Sequence, residues 1–339
     1  MQIQNRRYTG NKFKLLPWIK DNILRNCKCT DSFFDVFGGT GVVSATMTDF
    51  CKKIIINDLL YSNEVIYKAF FLRNSYSSEK LDNYEREFNV INADEIPDNY
   101  VSLNFGGKYF NYFDSKKIGF IREKIEFLLG NNFINKQEYY ILLASLIYSL
   151  DRVANTVGHY EAYIKKSVPA PSFKYELIAP VSHNITFDIF REDANCLARR
   201  IQCDIAFLDP PYNSRQYSRF YHVLETITKW NKPVLSGVAL KPPVENMSDY
   251  CRSKAATVFD DLVKNLNAKY IVVTYNNTYD SKSSSSQNKI TLEQIENALN
   301  KVGNTKKYST DYHRFNAGKT VCNGHKEFLF ITSVVSKNE

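Results

Sequence analysis

The sequence predicts an α/β protein: a mixed sheet flanked by helices and interrupted by a mostly helical insert. Three observations carry that prediction. Residues 12–72 alternate helix, strand, helix, strand, helix, with a glycine-rich turn after the first strand, which is the pattern of a βαβ unit. From Asn184 onward the same strand–helix rhythm returns. Between them, residues 74–184 lose the rhythm and become polar, aromatic and irregular around two helical stretches.

The elements follow in order. Lys12–Arg25 places Phe13, Leu16, Ile19, Ile23 and Leu24 at helical spacing. Ser32–Phe37 is a short apolar strand, broken by Gly38-Gly39-Thr40-Gly41. Val42–Phe50 reads as a helix, Lys53–Asn57 as a second strand closed by Asp58, and Asn63–Leu72 as a further helix. In the insert, Ser115–Leu129 and Lys136–Ala154 are helical, whereas Asn99–Asp114 and Asn155–Lys174 read as irregular. Beyond it come strand Ile185–Phe190, short helix Asp193–Arg200, strand Asp204–Leu208 and helix Ser218–Trp230. Strand Ala268–Thr274, helix Leu292–Val302 and strand Phe328–Val334 complete the series. Ser281–Ser286 has no periodicity and reads as a mobile loop. The expected organisation is a discontinuous main domain, residues 1–73 and 185–339, with 74–184 inserted. Such an insert is expected to carry specificity, because loops on a rigid scaffold present contacts; a purely structural helical subdomain is the alternative.

At 339 residues the chain suffices for one large domain or two smaller ones. With 24% charged and 44% hydrophobic residues it is neither disordered nor membrane-embedded in character. The net charge of +8 favours a polyanionic partner. The basic residues form small pairs, Arg6-Arg7, Lys165-Lys166, Arg199-Arg200 and Lys306-Lys307, and a solvated face explains any single pair equally well. Tyr and Phe, at 23 each, supply stacking surface for nucleic-acid bases. Seven cysteines without a CxxC pair suit a reduced, cytoplasmic protein. Met1–Arg6 has no apolar signal region, and the apolar stretch Tyr139–Leu150 is too short to span a membrane.

Two motifs carry chemistry. Asp209-Pro210-Pro211-Tyr212 follows the apolar run Ile205–Leu208. The prolines fix φ and donate no N–H, so the strand ends in a rigid tip that projects a carboxylate, carbonyls and a flat ring. Those groups suit a planar amine held by its two hydrogens and covered by a π-face. Phe37-Gly38-Gly39-Thr40-Gly41 lets the backbone approach a ligand, and Asp58, about twenty residues on, stands where a carboxylate meets ribose hydroxyls. A dinucleotide fingerprint would place a third glycine inside the helix, where Val43, Ser44 and Ala45 stand instead. By themselves these features indicate an adenosine-containing cofactor, and one with an amino-acid tail in place of a pyrophosphate is the alternative to a dinucleotide.

Together, in the order glycine loop, insert, DPPY, the motifs resemble the alpha group of adenine-N6 DNA methyltransferases, the group of the Dam-type enzymes and many restriction-modification partners. Arg7–Lys12 resembles that family's first motif, Ile271–Asn277 a family strand ending in a polar turn, and His313-Arg314 through Phe330 the family's ending. The likeness covers both ends of the chain but not the insert. It implies a Rossmann-like, S-adenosyl-L-methionine-dependent methyltransferase sheet with a target-recognition insert. It implies that Tyr8 and Lys12 contact the methionine part of the cofactor, Phe37, Gly39 and Gly41 line its pocket, Asp58 holds the ribose, and Asp193 lies near the adenine. Asp209, also beside the cofactor, would take the target base with Pro210, Pro211 and Tyr212. Trp is frequent in the family where this chain has Tyr8, and Asn11 replaces a smaller residue.

The implied reaction methylates N6 of an adenine flipped out of duplex DNA, at an unstacking cost of a few kcal/mol. Asp209 and the Pro210 carbonyl would accept the two N6 hydrogens and localise the lone pair. Tyr212 would stack on the base, worth ~1–3 kcal/mol. No metal or nucleophilic cysteine is required. Arg215 and Gln216 are candidate DNA contacts, with a helix-capping loop as the alternative. In the insert, His159, Tyr160, Glu161, Lys165, Lys166, Lys174 and Tyr175 are candidates for reading the duplex. A cognate restriction endonuclease is an expected partner, and a monomer or weak dimer the expected state. Cytosine-N4 methylation is the near rival, in which Ser more often precedes the prolines. An RNA adenine methyltransferase, a nicotinamide-dependent oxidoreductase and a non-catalytic DNA-binding relative are more distant ones.

Overall fold

The computed structural model describes residues 1–28, 30–165, 170–277, 287–311 and 325–335. Lys166, Ser281–Ser286 and His313-Arg314 lie outside the described residues. In chain order the elements are α1 (Leu16–Asn26), β1 (Ser32–Asp35), α2 (Val42–Met47), β2 (Lys53–Asn57), α3 (Tyr61–Phe71), α4 (Ser78–Val90), α5 (Tyr100–Phe105), α6 (Tyr112–Gly130) and α7 (Lys136–Val153). There follow β3 (Thr186–Phe190), α8 (Ala194–Ala198), β4 (Gln202–Leu208), α9 (Tyr217–Phe220), α10 (His222–Lys229), α11 (Ala255–Asn265), β5 (Asn267–Asn276), α12 (Leu292–Asn300), β6 (Gly303–Asp311) and β7 (Lys326–Val334).

The chain forms two compact units. One comprises Lys12–Leu59, His183–Gln216 and Asn246–Glu339, and contains the whole sheet. Among the described residues its seven strands run in the order β3-β2-β1-β4-β5-β7-β6. The first five are parallel, and β7 is antiparallel to both β5 and β6. The central strands are continuous apolar runs because both faces are covered. On one face Phe34, Ile55, Ala206, Ile271 and Phe330 join Leu197, Phe259, Leu262, Ile295 and Leu299 from α8, α11 and α12 in one core. Because β7 runs backwards, its start lies level with the carboxyl end of β5: Glu327 pairs with Asn276. The chain goes outward from β1 in both directions, so the β1–β4 junction is the topological switch point, where ligands of open α/β sheets bind.

The other unit comprises Met1–Asn11, Leu60–Ser182 and Tyr217–Glu245, and is helical. Its centre is α7, buried almost continuously from Ile141 to Asp151 and started by a reciprocal Asn135–Glu138 cap. The helices are tied by charged caps. Glu225 of α10 accepts from the Tyr61 and Ser62 amides at 2.9 and 2.8 Å, at the start of α3. The buried Arg122 of α6 donates to the carbonyls of Ile227 and Thr228 at 2.7 and 3.0 Å, at the end of α10. These are the backbone groups a helix leaves unsatisfied at its two ends.

Residues 1–11, α3 and 217–245 cluster with the insert, since α3 buries Ile66, Tyr67, Phe70 and Phe71 and packs on α7 and α10. Several elements differ from the sequence reading. Helices α4 and α5 stand where irregular chain was expected; α4 buries only Leu81 and Phe88, too few to mark a periodic face. Helix α11 and strand β6 were not foreseen. β6 is a polar edge strand carrying Lys306 and Lys307, a composition that protects a sheet edge but conceals the strand. The helix expected over Ser218–Trp230 is two, α9 and α10, parted at Tyr221.

Candidate active site

Strand β4 ends at Leu208, and Asp209, Pro210, Pro211 and Tyr212 leave its carboxyl end beside the turn that follows β1. Around Asp209 the sheet unit gathers a cluster of charged and polar groups. Lys12 Nζ lies 2.9 Å from Asp209 Oδ2 and 3.4 Å from Glu327 Oε1. It also donates to the Tyr212 hydroxyl at 2.9 Å. That hydroxyl is 2.7 Å from Asp209 Oδ1 and 2.8 Å from Glu327 Oε1. Thr274, near the end of β5, donates a further bond to Asp209 Oδ1 at 2.9 Å. Side-chain exposure is 7% for Lys12, 3% for Glu327 and 18% for Asp209, so Asp209 is the most accessible of the three charges. Burial raises the Glu327 carboxyl above its ordinary range, and Lys12 opposes that rise. Burial, then the charges of Asp209 and Glu327, holds the Tyr212 phenol well above its usual value. Tyr212 is therefore a neutral O–H donor. Its ring lies 4.4 Å from that of Tyr275, whose hydroxyl donates to the Tyr212 carbonyl.

The glycine turn adopts the backbone its sequence suggests. Gly39 and Gly41 have φ of +53° and +78°, conformations that glycine enters without strain. The Gly39 amide donates to Asp58 Oδ2 at 3.0 Å, so the acid after β2 is tied to the turn after β1. Phe37 is half-buried and meets Tyr250 edge-on at 5.0 Å. Beneath the turn, Asp35 is buried and accepts from Ser44 Oγ at 2.7 Å. Its carboxyl is pushed up to about 7, first by burial and then by the charges of Asp209 and Asp58, against the Ser44 bond.

The remaining candidates are dispersed. Asp193 is exposed and caps α8 through the Cys196 amide at 3.0 Å. Gln216 clamps the backbone of Ser248, donating to its carbonyl at 2.8 Å and accepting from its amide at 2.7 Å, which is a loop-holding role. Arg215 is half-buried, with its amide bonded to Asn213 and its carbonyl to Cys251 Sγ. Tyr8 belongs to the helical unit, stacked on Tyr221 at 4.7 Å and Tyr217 at 5.4 Å. Lys165 is exposed in that unit. Tyr160 and Tyr175 belong to the segment expected to read the duplex. Both rings are fully buried, and their hydroxyls bond Asp151 and the Leu142 carbonyl, because an aromatic-rich segment packs its rings inward. Lys12 has partners other than the implied cofactor carboxylate: two protein carboxylates and a phenol. Glu327, Thr274 and Asp35 had been given no role. Their available signal was an acid or hydroxyl inside an otherwise apolar strand, which in a buried position calls for a partner.

Comparisons with known proteins agree with this architecture. The model of the family described as D12 class N6 adenine-specific DNA methyltransferase matches residues 8–279. The chain is 30% identical to the Type II methyltransferase M.NlaIII of Neisseria lactamica, covering 94% of this chain and 95% of that protein. It is 31% identical to the Type II methyltransferase M.CviAII of Paramecium bursaria Chlorella virus 1, covering 96% and 98%. With the Modification methylase StsI of Streptococcus sanguinis it shares 33% identity over 80% of this chain and 44% of that longer protein. Among the described residues, no helix is long and apolar enough to cross a membrane.

Proposed function

The chain belongs to the D12 class N6 adenine-specific DNA methyltransferase family, and on that premise we propose how its own residues carry out the transfer. The donor is S-adenosyl-L-methionine, and the acceptor is N6 of an adenine flipped out of a specific duplex DNA sequence. The chain acts as the modification enzyme of a type II restriction-modification system, with a cognate endonuclease of the same specificity.

The donor set suits that cofactor. Asp58, tied to Gly39, offers a carboxylate for ribose hydroxyls, Phe37 an apolar wall, and the turn of Gly39 and Gly41 a close backbone approach. Asp193 is the candidate contact for the adenine, and Tyr8 and Lys12 remain the candidates for the methionine end. The bound cofactor supplies an electrophilic methyl group on sulfur. Asp209 accepts one N6 hydrogen and the Pro210 carbonyl the other, with Pro211 keeping the tip rigid. The amine's lone pair, otherwise delocalised into the ring, is thereby localised toward the methyl. With that cofactor held by these residues, the localised N6 lone pair would accept the methyl group, and Asp209 would take the N6 proton released. Tyr212 covers the base face, an interaction of ~1–3 kcal/mol that offsets part of the flipping cost. Residues 74–184, with exposed Lys165, are assigned to target recognition.

The observation that carries this reading is the acid at the end of β4, partly exposed and held on three sides by Lys12, Tyr212 and Thr274. The test is expression in a methylation-free host followed by single-molecule sequencing of the genomic DNA. N6-methyladenine in one sequence context is expected, and Asp209→Asn should abolish it. Methylcytosine instead would move the reading to the cytosine amine, and unmodified DNA would sink it.

A further inference from the structure

We propose that Glu327 is a positioning residue of the transfer site: it is the second acceptor onto which the Tyr212 hydroxyl and Lys12 ammonium move when the target amine engages Asp209. The inference rests on the reading of Asp209 as the acceptor of that amine.

The geometry contains one donor too few. The Tyr212 hydroxyl has a single hydrogen, yet two carboxylate oxygens lie in bonding range, Asp209 Oδ1 at 2.7 Å and Glu327 Oε1 at 2.8 Å. Only one can receive it at a time. Asp209 Oδ1 already takes the Thr274 hydroxyl at 2.9 Å, so with Tyr212 on it both lone pairs of that oxygen are occupied. Lys12 holds Asp209 Oδ2 at 2.9 Å and stands 3.4 Å from Glu327 Oε1. An arriving N6 hydrogen thus finds Oδ1 fully occupied and only one acceptor position left on Asp209, on Oδ2 beside the Lys12 ammonium. Transfer of the Tyr212 hydrogen to Glu327 frees one lone pair on Asp209 Oδ1 without leaving a buried phenol unpaired, which would be unfavourable. A nearly unexposed carboxylate is not a stabilising choice in itself, since an apolar side chain of similar size packs at least as well. Its placement within reach of both donors gives it a use that packing does not. The reversed direction of β7 brings it there, at the sheet end where Asp209 emerges.

The experiment is a double-mutant cycle on the full-length enzyme, with steady-state methylation of substrate DNA and calorimetric binding of S-adenosylhomocysteine. Glu327→Gln is expected to lower kcat about 10- to 100-fold, the loss of one charge-assisted hydrogen bond in the transition state. KM for DNA and affinity for S-adenosylhomocysteine should stay within about twofold. In a Tyr212→Phe background, which keeps the ring and removes the shared hydrogen, Glu327→Gln should cost several-fold less, and Glu327→Asp should restore part of kcat in the parent. Additive losses in the cycle, an unchanged kcat, or a loss confined to KM would overturn the role of Glu327. Activity retained by Asp209→Asn would instead overturn the reading of Asp209 on which the proposal rests.

Discussion

In the helical unit, two buried ionised groups cap helices through the backbone: Glu225 takes the first amides of α3, and Arg122 the last carbonyls of α10. In the sheet unit, Lys12, Asp209 and Glu327 face one another across a shared phenol, and Asp35 lies beneath them with a single hydroxyl partner. Backbone partners are irreplaceable, because an orphaned amide or carbonyl has no second acceptor or donor nearby. Side chains that satisfy one another are exchangeable, because a new ligand can enter and the partners can regroup. The charges of Glu225 and Arg122 therefore act on folding, and those gathered around Asp209 can be rearranged during chemistry.

That contrast is open to direct attack. The largest stability effect is expected at Glu225→Ala, which strips the acceptor from two amides and should lower stability by about 3 kcal/mol. A fall in thermal midpoint would appear, with methylation at permissive temperature preserved. An unchanged midpoint would break the division between structural and functional charge. Next comes Asp35, whose carboxyl is held at about 7 against 3.8 in the unfolded chain. Between those values the folded protein keeps a proton that the unfolded chain has released. Its contribution to stability is thus greatest at low pH and is lost as pH rises through about 7. Asp35→Asn should remove that dependence, so the variant gains about 2 kcal/mol on the parent between pH 5.5 and 7. Parallel unfolding curves across that range would refute it. The smallest effect is expected at Gln216→Ala, about 1 kcal/mol from the lost Ser248 clamp, with the methylated sequence unchanged. A shifted sequence preference would return Gln216 to a base-reading role.

Legibility in the sequence followed chemistry more than periodicity. Lys53–Asn57 matches β2 because a run of three isoleucines bounded by polar residues has one reading. The DPPY tip and glycine turn were legible because proline and glycine act locally on the chain. α4 and β6 were hidden, because each contacts the core through few side chains and the rest of its surface is polar. Gln216 and Tyr160 looked like DNA contacts by residue type. The structure gives one a backbone clamp and the other a buried bond to Asp151, partners distant in sequence.

The sequence by itself determined the α/β class, the carboxylate and ring at the end of β4, and the turn that faces them, since each follows from a short stretch of chain. Only the tertiary structure decided which other groups stand at that end of the sheet. Lys12, Thr274 and Glu327 come from positions 12, 274 and 327, and the antiparallel β7 sets the last of them level with the end of β5. Strand direction and pairing order are properties of the whole sheet, so no local spacing can reveal that Glu327 shares a phenol with Asp209.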